Sequence, residues 1–194
     1  MLQFITHTTD HLEDVLRGGC RWVQLRIKDA TDDDFIETGC KIRSLCNRYG
    51  AKFIIDDRVH LVETLGADGV HLGKNDMAPS EARKIIGNKI IGATANTSDD
   101  VARALAEGAD YLGIGPFRFT TTKKNLAPIL GLDGYRHIMA RGIPVPVVAI
   151  GGITLGDLPD LKTTGVTGVA VSGLILNSSN PEETTRQILD IWKN

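Results

Sequence analysis

The chain is 194 residues long, 42% apolar and 24% charged, with a formal net charge of -2. This is globular composition, enough for one domain over 1–194 with a sizeable core, and it offers no basic footprint for nucleic acid or an anionic membrane surface. No run approaches the ~18 unbroken apolar residues of a membrane span, and Met1-Leu2-Gln3-Phe4-Ile5 lacks the basic region and long apolar run of a signal peptide.

In chain order, short β-branched or apolar runs alternate with longer helical patterns. The strands are expected at 2–6, 22–28, 52–56, 69–72, 89–94, 111–114, 145–150 and 168–172. Helices are expected near 10–18, 32–49, 58–66, 78–86, 98–107, 131–141, 155–164 and 181–193. Ser98-Asp99-Asp100, Pro79-Ser80-Glu81 and Asn180-Pro181-Glu182-Glu183 supply helix starts, and glycines such as Gly50, Gly87 and Gly142 supply stops. One phrase recurs at a helix stop followed by a strand start: Gly66-Ala67-Asp68-Gly69, Gly108-Ala109-Asp110-Tyr111 and Gly165-Val166-Thr167-Gly168.

Eight strand-then-helix cycles without a hairpin signal imply a parallel sheet covered by helices, and eight units suit a closed (β/α)8 barrel. The size is small for that fold, which typically needs about 250 residues, so the loops must be short. The exception is 115–130, and a loop of that length in a compact domain is commonly functional. Cys20, Cys40 and Cys46 are odd in number, sit in or beside apolar segments and lack metal-ligand spacing. They read as buried free thiols in a reducing cytoplasm.

In such a barrel the C-terminal strand ends line the active site. Strand two offers Gln24, Arg26 and Lys28 on one face, opposite Val23, Leu25 and Ile27. Two cations and an amide in single file suit a phosphate ester, or else an edge strand facing water. Strand three offers Asp56, Asp57 and Arg58, strand four His71, Lys74 and Asp76, and strand five Thr94. Asp57 and Asp76 are oxygen ligands suited to Mg2+ shared with substrate phosphates, or else helix-capping carboxylates. Gly151-Gly152 and Ser172-Gly173 place bare amides where these barrels bind phosphate, or else are ordinary loop residues. Gly113-Ile114-Gly115 lacks the third glycine of a dinucleotide fingerprint, there is no Walker loop, and no serine or cysteine has a base in reach.

The sequence resembles the thiamine phosphate synthase family over nearly its whole length. The carriers are Val23-Gln24-Leu25-Arg26-Ile27-Lys28, Ile54-Ile55-Asp56-Asp57-Arg58, Gly69-Val70-His71-Leu72-Gly73 with Asp76 beyond, Gly113-Ile114-Gly115-Pro116 leading to Thr120-Thr121-Thr122-Lys123, Ala149-Ile150-Gly151-Gly152-Ile153, and Val169-Ala170-Val171-Ser172. The resemblance implies a (β/α)8 transferase that joins a hydroxymethylpyrimidine diphosphate to a thiazole phosphate and releases pyrophosphate. By the same resemblance, Gln24 meets the pyrimidine, Arg26, Lys28 and Lys123 hold the diphosphate, and Asp57 and Asp76 carry Mg2+. Thr120, Thr122, Gly151, Gly152 and Ser172 seat the thiazole phosphate with Val171 beside them, and Thr94 lies between the substrates. Its partners would be small-molecule phosphates, and a homo-oligomer is compatible with the pattern.

Two departures stand out: Asp56 replaces the usual Asn and places a further carboxylate beside Asp57, and Thr94 replaces a commoner Ser. The nearest competing reading is the thiazole tautomerase branch of the same fold, which typically loses the second metal aspartate and carries a histidine near strand six. Asp76 is present here and 115–130 holds no histidine. A non-catalytic sensor of thiazole or thiamine phosphate, and a generic phosphate-binding barrel enzyme such as an epimerase, complete the alternatives.

Overall fold

A computed structural model describes residues 1–119 and 127–193. The strands β1 (Leu2–Thr6), β2 (Trp22–Leu25), β3 (Lys52–Asp56), β4 (Gly69–Leu72), β5 (Ile90–Ala95), β6 (Tyr111–Ile114), β7 (Val147–Ile150) and β8 (Gly168–Val171) pair in parallel in sequence order. They close into a barrel when Leu2 of β1 registers with Val169 of β8. Around it run α1 (Leu12–Arg17), α2 (Asp32–Tyr49), α3 (Pro79–Ile86), α4 (Ser98–Ala106), α5 (Gly131–Met139), α6 (Leu158–Thr163), α7 (Gly173–Leu176) and α8 (Pro181–Lys193). The protein is a (β/α)8 barrel of the TIM type.

Period-two alternation divides each strand between two environments. Phe4, Val23, Leu25, Phe53, Ile55, Val70, Ile91, Leu112, Val147 and Val169 point outward into the shell between barrel and helices, where all are buried. The inward set is smaller: Ile5, Tyr111, Val148 and Ala170 pack together inside the barrel, with Trp22 and Ile150 against them. Tyr111 fits only because Gly92 faces it, since a Cβ at Gly92 would lie 2.2 Å from the phenol ring.

The recurring phrase has a structural purpose. Asp68, Asp110 and Thr167 each follow a glycine at positive φ and turn back onto the neighbouring strand, where the side chain accepts the backbone N–H of Phe53 (2.7 Å), Ile91 (2.7 Å) and Val147 (3.0 Å). Their own N–H groups donate to the carbonyls of those same residues, at 2.8, 2.7 and 2.8 Å. Each phrase therefore staples the entry of an even strand to its odd predecessor with two bonds. We expect Asp68→Ala, which orphans the Phe53 N–H and also removes the Arg43 ion pair at 2.8 Å, to cost about 1–3 kcal/mol. Thermal unfolding should register this as a fall of roughly 3–10 °C; an unchanged midpoint would refute the staple.

The structure corrects the sequence reading in four places. The helix expected over 58–66 is a single 3-10 turn, Val59–Leu61. Asp57 at φ 61 and Gly66 at φ 54 pin both ends, and between them Val59, Leu61, Val62 and Leu65 are buried while His60, Glu63 and Thr64 face solvent on a series of turns. Strand two ends at Leu25, not Lys28, because its ladder partner Thr6 is the last residue of β1. A short helix, α7, follows β8 directly, where no periodic pattern can register in four residues. Cys20 and Cys46 are buried as expected, with burial pushing their thiols up to about 11 and about 12, but Cys40 is exposed on α2.

Candidate active site

The C-terminal ends of the strands surround a cavity of about 340 Å³. Gln24, Arg26, Lys28, Asp56, Asp57, Asp76, Thr94, Gly151, Gly152, Val171 and Ser172 all line it. Closing the barrel removes the edge-strand alternative for Gln24, Arg26 and Lys28, since β2 is paired on both sides. Thr120, Thr122 and Lys123 lie outside the described residues.

One wall is polar and built from β1 to β6. Gln3 Nε2 donates to Gln24 Oε1 at 2.9 Å and to the Tyr111 hydroxyl at 3.0 Å, and Gln24 Nε2 donates to Asp56 Oδ1 at 2.8 Å. His71 bridges Tyr111 and Thr94, with Nδ1 and Nε2 each 3.0 Å from a hydroxyl oxygen. Burial raises the Tyr111 hydroxyl, so it keeps its proton. His71 thereby links the buried Tyr111 hydroxyl to the Thr94 hydroxyl at the cavity wall. Gln3, Tyr111 and Asn96 were missed by sequence reasoning. Gln3 sits inside an apolar run whose inward parity was its only signal.

Above this wall the charges converge. Arg26 Nε lies 3.1 Å and Lys28 Nζ 3.6 Å from Asp56 Oδ2, and Lys28 also bonds Asp57. Burial, together with the Asp57 charge, pushes the Asp56 carboxyl up to about 7 against the pull of Arg26 and Lys28. Burial also raises Asp76, reinforced by its hydrogen bond and charge contact with Asp57. For Asp57 burial is outweighed by hydrogen bonds from Asp76 and Lys28, which hold it below the usual carboxylate range. Arg58 does not offset Asp56: it stacks on Phe35 and bonds Asp32 and the Ala30 carbonyl instead.

Asp57 and Asp76 thus lie in hydrogen-bonding contact with Lys28 against Asp57, two carboxylates placed where a hard cation would fit. Among the described residues no three His, Cys, Asp or Glu side chains cluster as a complete ligand set. An ion here would fill its sphere with substrate oxygens and water, as Mg2+ does.

The opposite wall is apolar, formed by Ile5, Val148, Ile150 and Ala170, and rimmed by the turns after β7 and β8. Gly151 and Gly152 adopt φ of 100° and 64°, so the turn needs glycine. The entry to the β6 loop lies across them: Phe117 N donates to Ile150 O and Arg118 N to Gly151 O, both at 2.9 Å. Beyond the turn, Asp157 accepts from Thr154 N (2.8 Å), Thr154 Oγ1 (2.7 Å) and the Arg118 guanidinium. Burial would raise Asp157, but these donors outweigh it and hold the carboxyl low. Its stabilisation is therefore present above the ordinary carboxylate range and is lost as pH falls through the lowered pKa.

A closed parallel barrel whose C-terminal rim gathers two cations, a carboxylate pair and two glycine-bearing turns defines a phosphate-handling (β/α)8 enzyme. The sequence profile of the family described as Thiamine monophosphate synthase matches residues 2–175, and the chain belongs to that family. A thiamine-phosphate synthase of Phocaeicola vulgatus is 52% identical over 201 residues, covering 98% of this chain and 97% of that one. Another from Flavobacterium psychrophilum is 45% identical over 92% of this chain and 89% of its own length. The solved thiamine phosphate pyrophosphorylase of Pyrococcus furiosus superposes with a TM-score of 0.90 at 34% identity, covering 99% of this chain and 95% of that chain. A 3-hexulose-6-phosphate synthase structure, at 14% identity and a TM-score of 0.70, shares the fold alone.

Proposed function

We propose that this cavity is the active site of a thiamine-phosphate synthase, a cytoplasmic transferase joining 4-amino-2-methyl-5-hydroxymethylpyrimidine diphosphate to hydroxyethylthiazole phosphate. The observation that carries this reading is that two clusters of different design, each suited to an anion, line one cavity. Arg26 and Lys28 with Asp57 and Asp76 cluster around β3, and the Gly151–Gly152 and Ser172 amides sit across the barrel around β7 and β8. One site suits a diphosphate that leaves, the other a monophosphate that stays.

On this reading Gln24, fixed by Gln3 and Asp56, presents its amide edge to the pyrimidine, and Arg26 and Lys28 grip the diphosphate together with Lys123. Thr120, Thr122, Gly151, Gly152, Val171 and Ser172 seat the thiazole phosphate. The C–O bond of the pyrimidine methylene breaks with its electron pair leaving on pyrophosphate, and the thiazole nitrogen lone pair then forms the C–N bond. No step needs a protein nucleophile or base. What the site must do is stabilise charge growing on the leaving group. Mg2+, held by Asp57 and Asp76 together with substrate oxygens, would supply part of that neutralisation. Thr94, oriented by His71, offers a hydroxyl between the two substrates.

The test is pyrophosphate release by the purified protein with Mg2+, requiring both substrates together. Release from neither mixture, accompanied by isomerisation of the thiazole phosphate, would replace the synthase by the tautomerase.

Asp56 yields a separate prediction. Its carboxylate competes with the diphosphate for Arg26 and Lys28, whereas an amide would still accept from Gln24 without that competition. Asp56→Asn should therefore lower the KM for the pyrimidine diphosphate by roughly two- to fivefold, the range of weakly screened charge pairs. A raised KM would show that the carboxylate orients the two cations instead.

A further inference from the structure

Arg118 is the residue of the β6 loop entry that the catalytic reading leaves unused. Its guanidinium meets Asp157 through two bonds, Nη1 to Oδ2 at 2.8 Å and Nη2 to Oδ1 at 2.5 Å. The same residue donates its N–H to Gly151 O at 2.9 Å. Its Cβ would stand 2.9 Å from a Cβ placed on Gly152. One side chain and its backbone thus hold the 151–157 turn at both ends, while Phe117 beneath is buried and the guanidinium rests 5.1 Å from its ring.

Stability accounts for only part of this arrangement: the Arg118 side chain is 52% exposed, which screens its pair with the buried Asp157. Thr154 N and Oγ1 both donate to Asp157 Oδ2, whereas Oδ1 is met by the Arg118 guanidinium. What the fork adds is geometric: a bidentate pair fixes orientation as a single-pronged cation does not. The orientation it fixes is that of the loop entry upon the glycine turn.

We propose that Arg118 and Asp157 form a positioning pair that sets the Gly151–Gly152 amides for the phosphate of the thiazole substrate; this rests on the reading above that the turn seats that phosphate. The pair touches no substrate and acts through the turn. It therefore governs one substrate and leaves the other alone, which distinguishes it from a merely structural contact.

The experiment is steady-state kinetics on Arg118→Ala, Arg118→Lys and the Arg118→Ala/Asp157→Asn double variant, varying each substrate in turn, with thermal unfolding alongside. Arg118→Ala should raise the KM for the thiazole phosphate about tenfold, as misplacement of a binding group does. The KM for the pyrimidine diphosphate and the unfolding midpoint should stay close to wild type. Arg118→Lys should fall between the two, and the double variant should be no worse than Arg118→Ala because the pair acts as a unit. Equal rises in both KM values, or no rise in either, would overturn the positioning pair while wild-type turnover kept the synthase standing. Wild-type protein that released no pyrophosphate would overturn both.

Discussion

Asp57→Asn should lower Mg2+-dependent turnover by about a hundredfold to a thousandfold, the loss that follows when one charged group stabilising a transition state is removed. Asp57 sits at φ 61, a left-handed conformation that asparagine and aspartate tolerate and most residues do not. Asn therefore isolates the charge, whereas Asp57→Ala adds backbone strain and confuses lost chemistry with lost stability. The neighbours amplify the effect. Without the Asp57 charge, Asp76 keeps only an amide partner and Lys28 loses its closest anion, so the negative charge available to a cation falls. Thermal unfolding of the Asn variant should stay within a few degrees of wild type, since Asp57 spends a strained backbone on function and not on packing. Turnover within about tenfold of wild type would remove Asp57 from the charge-bearing site.

The contrast between what could and could not be read in the sequence follows from the range of each interaction. Strand alternation is local, so the eight strands, the helix start at Asn180, the inward parity of Gln24 and the strand-end places of Asp56 and Thr94 were legible from neighbours in the chain, while the cap of α4 proved to be Thr97, one residue before the expected Ser98. The rim chemistry was legible because parallel barrels send all strand ends to one side. The recurring Gly-Ala-Asp phrase was visible, but its stapling bond was not, because the acceptor's partner lies on another strand.

The same limit hid the inner wall. Gln3 and Tyr111 are 108 positions apart and meet at 3.0 Å only once β1 and β6 face each other across the barrel. Arg118 and Asp157, 39 apart, carry no local pattern at all. The third helix failed for a related reason. Apolar spacing at 59, 62 and 65 fits a helix, yet the same residues also satisfy a turn series that buries Val59, Leu61, Val62 and Leu65, and the left-handed residues Asp57 and Gly66 at its ends keep it short.

Gly152→Ala should be severely damaging to the site. At φ 64 the new side chain is strained, and its Cβ would lie 2.6 Å from the Phe119 carbonyl oxygen and 2.9 Å from Arg118 Cβ. Backbone cannot yield as a flexible side chain would, so either the glycine turn or the β6 loop entry must move. Both are elements of the proposed phosphate seat. We expect the KM for the thiazole phosphate to rise about a hundredfold or more, with a stability cost of roughly 1–3 kcal/mol from strain. Gly142→Ala is the control that separates the two causes. It sits at a comparable φ of 69 with no atom within 4 Å of the added Cβ, so it should show the strain cost without the kinetic defect. If both variants bound the thiazole phosphate equally well, collision at Gly152 would be irrelevant and the seat would have to lie elsewhere on the rim. If only Gly152→Ala failed, the close approach of the β6 loop entry to the β7 turn would be the feature on which the second anion site depends.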